Sequence, residues 1–412
     1  MKVKGRTMSA VSASSLPPAL ERRLKYAGPA LLSYGFRPFF LGAAIWSVAS
    51  IVLWIPQFTG IFALPTAYPP LDWHVHEMLY GYVAAVIAGF LLTAIPNWTG
   101  RLPITGAPLM ALAALWLAGR LAILLSGPLG IALVGLVDVA FLATLAFVAA
   151  REIIAGRNWR NLRVLALIGV LIASNVVFHA EVYLFGRALY GTRIAIAAVI
   201  MLISLVGGRI VPSFTRNWLA RRGRGRLPVP FSRFDVAAIG ASIVALALWV
   251  AVADAAITGI ALLAAAIMQA ARLTRWAGYR ALSDRLVLVL HAAYAFIPVG
   301  FALMGASALG LFDIPASVGV HAWTVGAVGL MTLAVMTRAS LGHTGQPLAA
   351  GVGTQAIYLF ALCAALLRIA ASLVGSMPLM ELAGVAWVSA FGGFVVVYGP
   401  TLCKRRAVWF GR

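Results

Sequence analysis

From Met78 to Pro96 the chain carries no Asp, Glu, Lys or Arg, and stretches of this kind recur along its whole length. An apolar run of about 20 residues is long enough to cross ~30 Å of hydrocarbon. There, every backbone N–H and C=O must be satisfied inside the protein, which leaves helices or a closed barrel. Strand-like alternation is absent, and Ala, Leu and Gly dominate the runs. The expected fold is therefore all-α, a polytopic membrane bundle of about twelve transmembrane helices. With 62% hydrophobic and 10% charged residues, the 412-residue chain departs far from a soluble globular composition.

The spans are predicted at roughly 38–56, 76–96, 107–126, 128–150, 161–184, 188–211, 234–253, 255–273, 286–309, 315–337, 352–375 and 379–402. Residues 1–30 form an N-terminal segment, expected to be partly disordered because 8–20 is rich in Ser, Ala and Pro. Spans 1–6 occupy 31–214, a basic loop follows at 215–234, spans 7–12 occupy 235–403, and 404–412 is a basic tail. The ends of spans 2 and 6 resemble each other, Ala94-Ile95-Pro96-Asn97-Trp98-Thr99 against Ile210-Val211-Pro212-Ser213-Phe214-Thr215. Proline is common at helix exits, so this spacing alone does not establish a repeat.

The formal charge of +21 is distributed in a way that argues against nucleic acid as a partner. Basic residues crowd the N-terminal segment and alternate connections: Arg151 to Arg163, Arg216 to Arg233, Arg272 to Arg285, Arg338, and Lys404 to Arg406. The intervening connections hold almost none apart from Arg187 and Arg193. That alternation follows the positive-inside rule, predicts both termini in the cytoplasm, and names the anionic lipid bilayer as the partner of the charge. No apolar core precedes residue 28, so no cleavable signal peptide is expected. Phosphate-loop, nucleophile-elbow and CxxCH haem-attachment motifs are missing. Cys363 and Cys403 read as packing residues.

The chemistry is concentrated in the histidines. His74 and His76, in Trp73-His74-Val75-His76-Glu77, fall at the outer end of span 2; His179 and His321 fall near the outer ends of spans 5 and 10. Four imidazoles from three helices thus approach one level, shared with Glu77, Glu181, Asp72 and Asp313, as one wall of a common intramembrane site. Imidazoles on facing helices build haem sites, and about three N/O donors build copper or non-haem iron sites. At i,i+2 on a helix, His74 and His76 point about 200° apart and cannot share one metal. Either the chain is extended at His74, or the two serve different roles. Glu77, three residues after His74, is placed to orient its second ring nitrogen. His291 lies deeper, in span 9, and as a metal ligand belongs to a deeper or second site; His343 falls in the cytoplasmic loop after span 10 and reads first as an ordinary loop residue, with metal ligation as the lesser alternative. Arg187 and Arg193 are candidates to neutralise haem propionates. Asp138 in span 4, with Arg120 and Arg368 as possible partners, reads best as a structural ion pair.

At these residues the chain resembles the NnrS family. The resemblance rests on Gly35-Phe36-Arg37-Pro38-Phe39-Phe40, Trp73 to Met78, Ala88 to Gly100, Gly207 to Thr215, His321 to Ala327 and Met336 to Gly345, and covers nearly the whole membrane region. It implies a multi-pass protein of the bacterial cytoplasmic (inner) membrane that handles nitric oxide and relieves nitrosative stress, holding non-covalent haem b and, as a second metal, copper. In the enzymatic form of that expectation, the protein is a nitric oxide reductase-type oxidoreductase fed by an electron donor. The outer His set then holds the metals, and Glu77 and Glu181 orient ligands or transfer protons. The alternative is a secondary transporter or metal permease in which the histidines couple protons or bind the cation.

Overall fold

In the computed structural model, residues 26–223 and 225–405 are described. The N-terminal segment up to residue 25, with its expected disorder, and most of the basic tail lie outside them. Twelve helices are long and apolar enough to cross a membrane, and no strand occurs among the described residues. They are α1 (Phe36–Phe58), α2 (Pro70–Thr99), α3 (Ala107–Leu124), α4 (Ile131–Ala155), α5 (Trp159–Phe185) and α6 (Tyr190–Leu219). The second half comprises α7 (Arg233–Ala251), α8 (Ala256–Arg280), α9 (Arg285–Ala308), α10 (Ala316–Thr344), α11 (Val352–Val374) and α12 (Met377–Cys403). The chain is a multi-pass membrane protein. An even number of crossings brings both ends of the described chain to one face. There Arg37 Nη1 donates to the carbonyls of Leu402 (2.6 Å) and Lys404 (2.8 Å), stitching α1 to the end of α12.

Three helices form the interior. α2, α6 and α10 bury 78%, 67% and 72% of their most apolar stretches, against 28–44% for the others except α9, at 61%. A helix that is apolar all round belongs in the middle, and these are also long, at 30, 30 and 29 residues. A narrow cavity lined by Val83, Ile87, Leu202, Val206, Val328 and Met331 lies among them, so the three surround a common axis. The inner positions therefore recur every fourth helix, the interval at which the ends of α2 and α6 resemble each other. Gly208 on α6 lies against the Arg272 guanidinium, which donates to Asp235 (3.0 Å), the Ser204 carbonyl (2.9 Å) and Tyr294 (2.8 Å). The small residue is used for close packing.

Two inner helices change pitch beside a histidine. α2 takes the wider π form over Glu77–Val83, directly after His76, and α10 does so over Ala322–Gly329, directly after His321. Such segments rotate the following side chains and concentrate at functional sites.

Candidate metal centre

α2 begins earlier than the sequence predicts, at Pro70, where a missing N–H costs nothing. The carboxylate of Asp72 accepts from the Ala188 N–H at 3.1 Å and fixes this first turn. Both His74 and His76 are therefore helical, and they point apart. The expected common site of four histidines is in fact two sites, because the i,i+2 separation sends His76 toward α4 and α5 and His74 toward α10 and α11.

His76 is fully buried. Its Nδ1 lies 3.1 Å from Glu77 Oε1, and its Nε2 lies 3.2 Å from Asp138 Oδ2. His179 Nε2 is 3.2 Å from that same Oδ2, and its Nδ1 is 2.6 Å from the Tyr68 hydroxyl. Each imidazole thus has one nitrogen held by a partner and the other directed at one carboxylate. Asn175 Nδ2 also donates to Asp138 Oδ2 at 2.8 Å. Arg120 donates to both Glu77 oxygens (2.8 and 2.9 Å) and pairs with Asp138 Oδ1, while Trp46 Nε1 donates to Glu77 Oε2 at 2.5 Å. Glu77 therefore orients His76 rather than His74. Space for this knot comes from Gly81, where a Cβ would lie 2.8 Å from Arg120 Nη1 and Trp46 Nε1 and 2.9 Å from Glu77 Oε2.

The cluster can hold a cation. Donor atoms of His76, Asp138 and His179 lie within 4.8 Å of one another. Metal–ligand bonds of about 2.0–2.2 Å bring neighbouring donors roughly 3–3.6 Å apart, so the two 3.2 Å separations fit. His76 Nε2 is buried with no hydrogen-bond partner, although it faces the carboxylate. Charge points the same way. One guanidinium, Arg120, faces the two carboxylates Glu77 and Asp138, and a buried surplus of negative charge is costly in a membrane protein. Imidazole and carboxylate donors suit zinc, copper or iron. Outside the helices, burial, reinforced by the Glu77 charge, pushes the Tyr68 phenol far up, so it remains a neutral hydroxyl.

His74 borders a different space, a cavity of about 310 Å³ between α1, α2, α6, α10, α11 and α12. Its ring stacks on Trp54 (4.0 Å between centroids, 21° between planes), and its Nδ1 is buried without a partner. His321 lines the same cavity. Its Nδ1 is 2.6 Å from the Ser317 carbonyl, which can only accept, so Nδ1 carries the proton and Nε2 keeps its lone pair. Arg368 Nη1 donates to Ser372 Oγ (2.6 Å), which lies 3.3 Å from His321 Nδ1. The remaining wall is mostly apolar, with Ile51, Met78, Val325 and Trp387 among its residues, and includes Thr192 and Thr324.

Residues 30–406 match the family described as NnrS protein. The chain belongs to the NnrS family. No curated protein matches it. In this NnrS chain the other predicted residues lie elsewhere. Glu181 accepts from the backbone N–H groups of Leu189, Tyr190 and Gly191 at 2.9–3.0 Å, so its carboxylate is taken up in capping α6. Arg187 is exposed in the α5–α6 connection, and Arg193 is half-buried on α6; neither lines the His74–His321 cavity. His291 sits near the opposite end of the bundle, its Nε2 2.8 Å from Thr215 Oγ1. His343 is not in a loop, since α10 continues to Thr344; its ring packs 5.5 Å from that of Phe36. Arg368 serves the His321 side and does not pair with Asp138. Asp138 was legible as a costly intramembrane carboxylate but not as the centre of a cluster. Tyr68, Asn175 and Trp46 gave no sequence signal.

Proposed function

We propose that this NnrS chain handles nitric oxide at a buried redox-metal centre held by His76, Asp138 and His179. The observation that carries the reading is the paired imidazoles, each fixed at Nδ1 and each turning Nε2 to one shared carboxylate. Membership of the NnrS family fits a membrane protein tied to the nitric oxide response. In this reading Glu77, Arg120 and Tyr68 are positioning residues that set ring orientation and close the charge balance.

Haem b is the group we assign to the neighbouring cavity. Two imidazoles with an available nitrogen, an apolar wall and the Arg368 cation make a donor set that fits it. His74 and His321 would hold the iron, and Arg368 would balance a propionate. When bound, the group would supply one-electron chemistry, with both imidazoles engaged, and NO would be handled at the His76 centre. The chain's own part is to exclude water and keep two sites two residues apart on α2. Reduction of NO, with electrons from an external donor, is the enzymatic form of this proposal.

The test uses protein purified after haem-replete expression. Wild type should show a Soret band and retain stoichiometric metal by plasma mass spectrometry. His74→Ala should lose the Soret band and keep the second metal, and His76→Ala should do the reverse and lose anaerobic NO consumption. An absent Soret band in wild type sinks the haem assignment; unchanged metal content in His76→Ala sinks the metal centre. A metal permease is favoured by one observation: cavities line the inner helices successively from the His74 side to the opposite face. A permease would release metal on purification and accumulate it in vesicles.

A further inference from the structure

Three of the motifs that carry the family resemblance end far from either histidine site. Ala88 to Gly100, Gly207 to Thr215 and Met336 to Gly345 are the segments of α2, α6 and α10 that run toward the face bearing the chain ends. They converge on one vestibule of about 720 Å³ at the open end of the inner triangle. Arg209, Arg221 and Arg338 line it, against a single carboxylate, that of Asp284. Asp284 is already used. Its Oδ1 accepts from the Leu286 and Val287 N–H groups (3.0 and 3.3 Å) as the cap of α9, and it forms no ion pair within 4.0 Å among the described residues.

Neither of the two arginines on the inner helices forms an ion pair within 4.0 Å among the described residues, although the Asp284 carboxylate acts on Arg338 electrostatically. Arg209 donates to a neutral amide, Asn161 Oδ1, at 3.2 Å. The Arg338 guanidinium lies over the Phe214 ring at 4.0 Å. Positive-inside arginines belong in loops, where water and lipid headgroups solvate them. These two are instead half-buried in helices that form the core of the bundle. Two guanidiniums facing one cavity repel each other unless an anion joins them. The same wall is largely aromatic and aliphatic, with Phe40, Phe90, Trp98 and Val335, and also carries the neutral polar side chains of Thr93, Asn97 and Asn217. A volume of this size exceeds that of a simple inorganic ion and matches an organic molecule.

We infer that this vestibule binds an organic anion, its carboxylate or phosphate group held by Arg209 and Arg338 and its apolar body packed on Phe90, Trp98 and Phe214. Guanidinium forks suit such head groups, and stacking on Arg338 and Trp98 suits a flat body. The site is independent of any metal, so it stands or falls separately from the function proposed above.

The test is calorimetry on the full chain in phosphatidylcholine nanodiscs, with 2-naphthoate as probe. Naphthoate should bind, and the neutral 2-naphthamide and inorganic phosphate should bind at least about tenfold more weakly, the first lacking the charge and the second the body. Arg209→Gln and Arg338→Gln should each weaken naphthoate about tenfold or more. Arg338→Lys, which keeps the charge and guards against misfolding, should weaken it less than Arg338→Gln. Arg187→Gln, in the connection between α5 and α6, should leave it unchanged. Naphthamide or phosphate binding as tightly as naphthoate, or affinity unchanged in both glutamine variants, overturns the proposal. Adding phosphatidylglycerol separates the sources of the anion. Competition with naphthoate identifies a lipid headgroup as occupant, and its absence identifies a soluble anion.

Discussion

His74 and His76 stand two residues apart on one helix in opposite chemical surroundings. Around His76 two carboxylates, a guanidinium, an amide, a phenol and an indole meet among buried side chains, with His76 Nε2, Arg120 Nε and Asn175 Oδ1 left without a hydrogen bond. Around His74 the neighbours are mostly apolar apart from His321 and Arg368, its Nδ1 has no hydrogen-bond partner among the described residues, and the ring is held by stacking on Trp54. The first arrangement is built by electrostatics and tolerates little change. The second is built by shape and leaves volume for a guest. A single turn of α2 therefore serves two kinds of site, provided the helix is regular up to His76 and widens only after it.

The sharpest way to break this contrast is to remove the cation from the polar side. Arg120→Gln leaves Glu77 and Asp138 buried without their guanidinium, and breaking a buried pair in this way costs about 3–5 kcal/mol. Arg368→Gln, on the cavity side, removes a charge that pairs with no carboxylate among the described residues, and should cost under about 1 kcal/mol. Thermal unfolding of both variants in detergent reads the difference. Equal losses would mean that the His76 cluster is not an electrostatic knot.

A smaller effect probes steric rather than charge tolerance. Gly81→Ala places a methyl 2.8 Å from Arg120 Nη1 and Trp46 Nε1, atoms fixed by their bonds to Glu77, and should destabilise by about 1–3 kcal/mol. Gly384→Ala, on the cavity wall, meets chiefly the Cδ1 tip of Ile55, which can rotate aside. It should be nearly neutral, under about 1 kcal/mol. The same melting measurement checks both, and a costly Gly384→Ala would show the cavity to be as rigid as the cluster.

The contrast also separates what the sequence exposed from what it concealed. Twelve spans were legible because hydropathy over some 20 residues needs no partner to be read. The divergence of His74 and His76 was legible from helical angle alone, though not which neighbours each would meet. Four histidines at one depth looked like a single site because depth is the one coordinate that a topology assigns. Azimuth around the bundle was missing, and azimuth divides the four into His76 with His179 and His74 with His321. Glu181 shared the depth as well, yet three N–H groups at the start of α6 claim it, a contact between α5 and its successor that spacing does not announce. Asp138 and Arg120 were visible as intramembrane charges that could pair, and they do. Their convergence with Asn175 and Tyr68 depends on packing among four separate elements.

The finest difference between the two sites lies in how the outer nitrogen of an imidazole is held. For His321 the holder is the Ser317 carbonyl, which no side-chain change removes. For His179 it is the hydroxyl of Tyr68, a loop residue between α1 and α2 that is 2% exposed. Tyr68→Phe deletes that hydroxyl and keeps the ring, which packs 5.8 Å from His76 and 5.9 Å from His179. The loss in stability should be about 1 kcal/mol, the ordinary worth of one hydrogen bond. Metal affinity should fall roughly tenfold or more, since the freed ring no longer presents Nε2 to Asp138. Burial keeps the phenol protonated, so the difference should be constant across neutral pH. The Tyr68 contribution to stability should fade only above about pH 10, where the unfolded chain ionises first. Competition with a chelator, followed in wild type and variant between neutral and mildly alkaline pH, measures the ratio. An unchanged affinity would remove His179 from the metal centre and leave Tyr68 as packing alone.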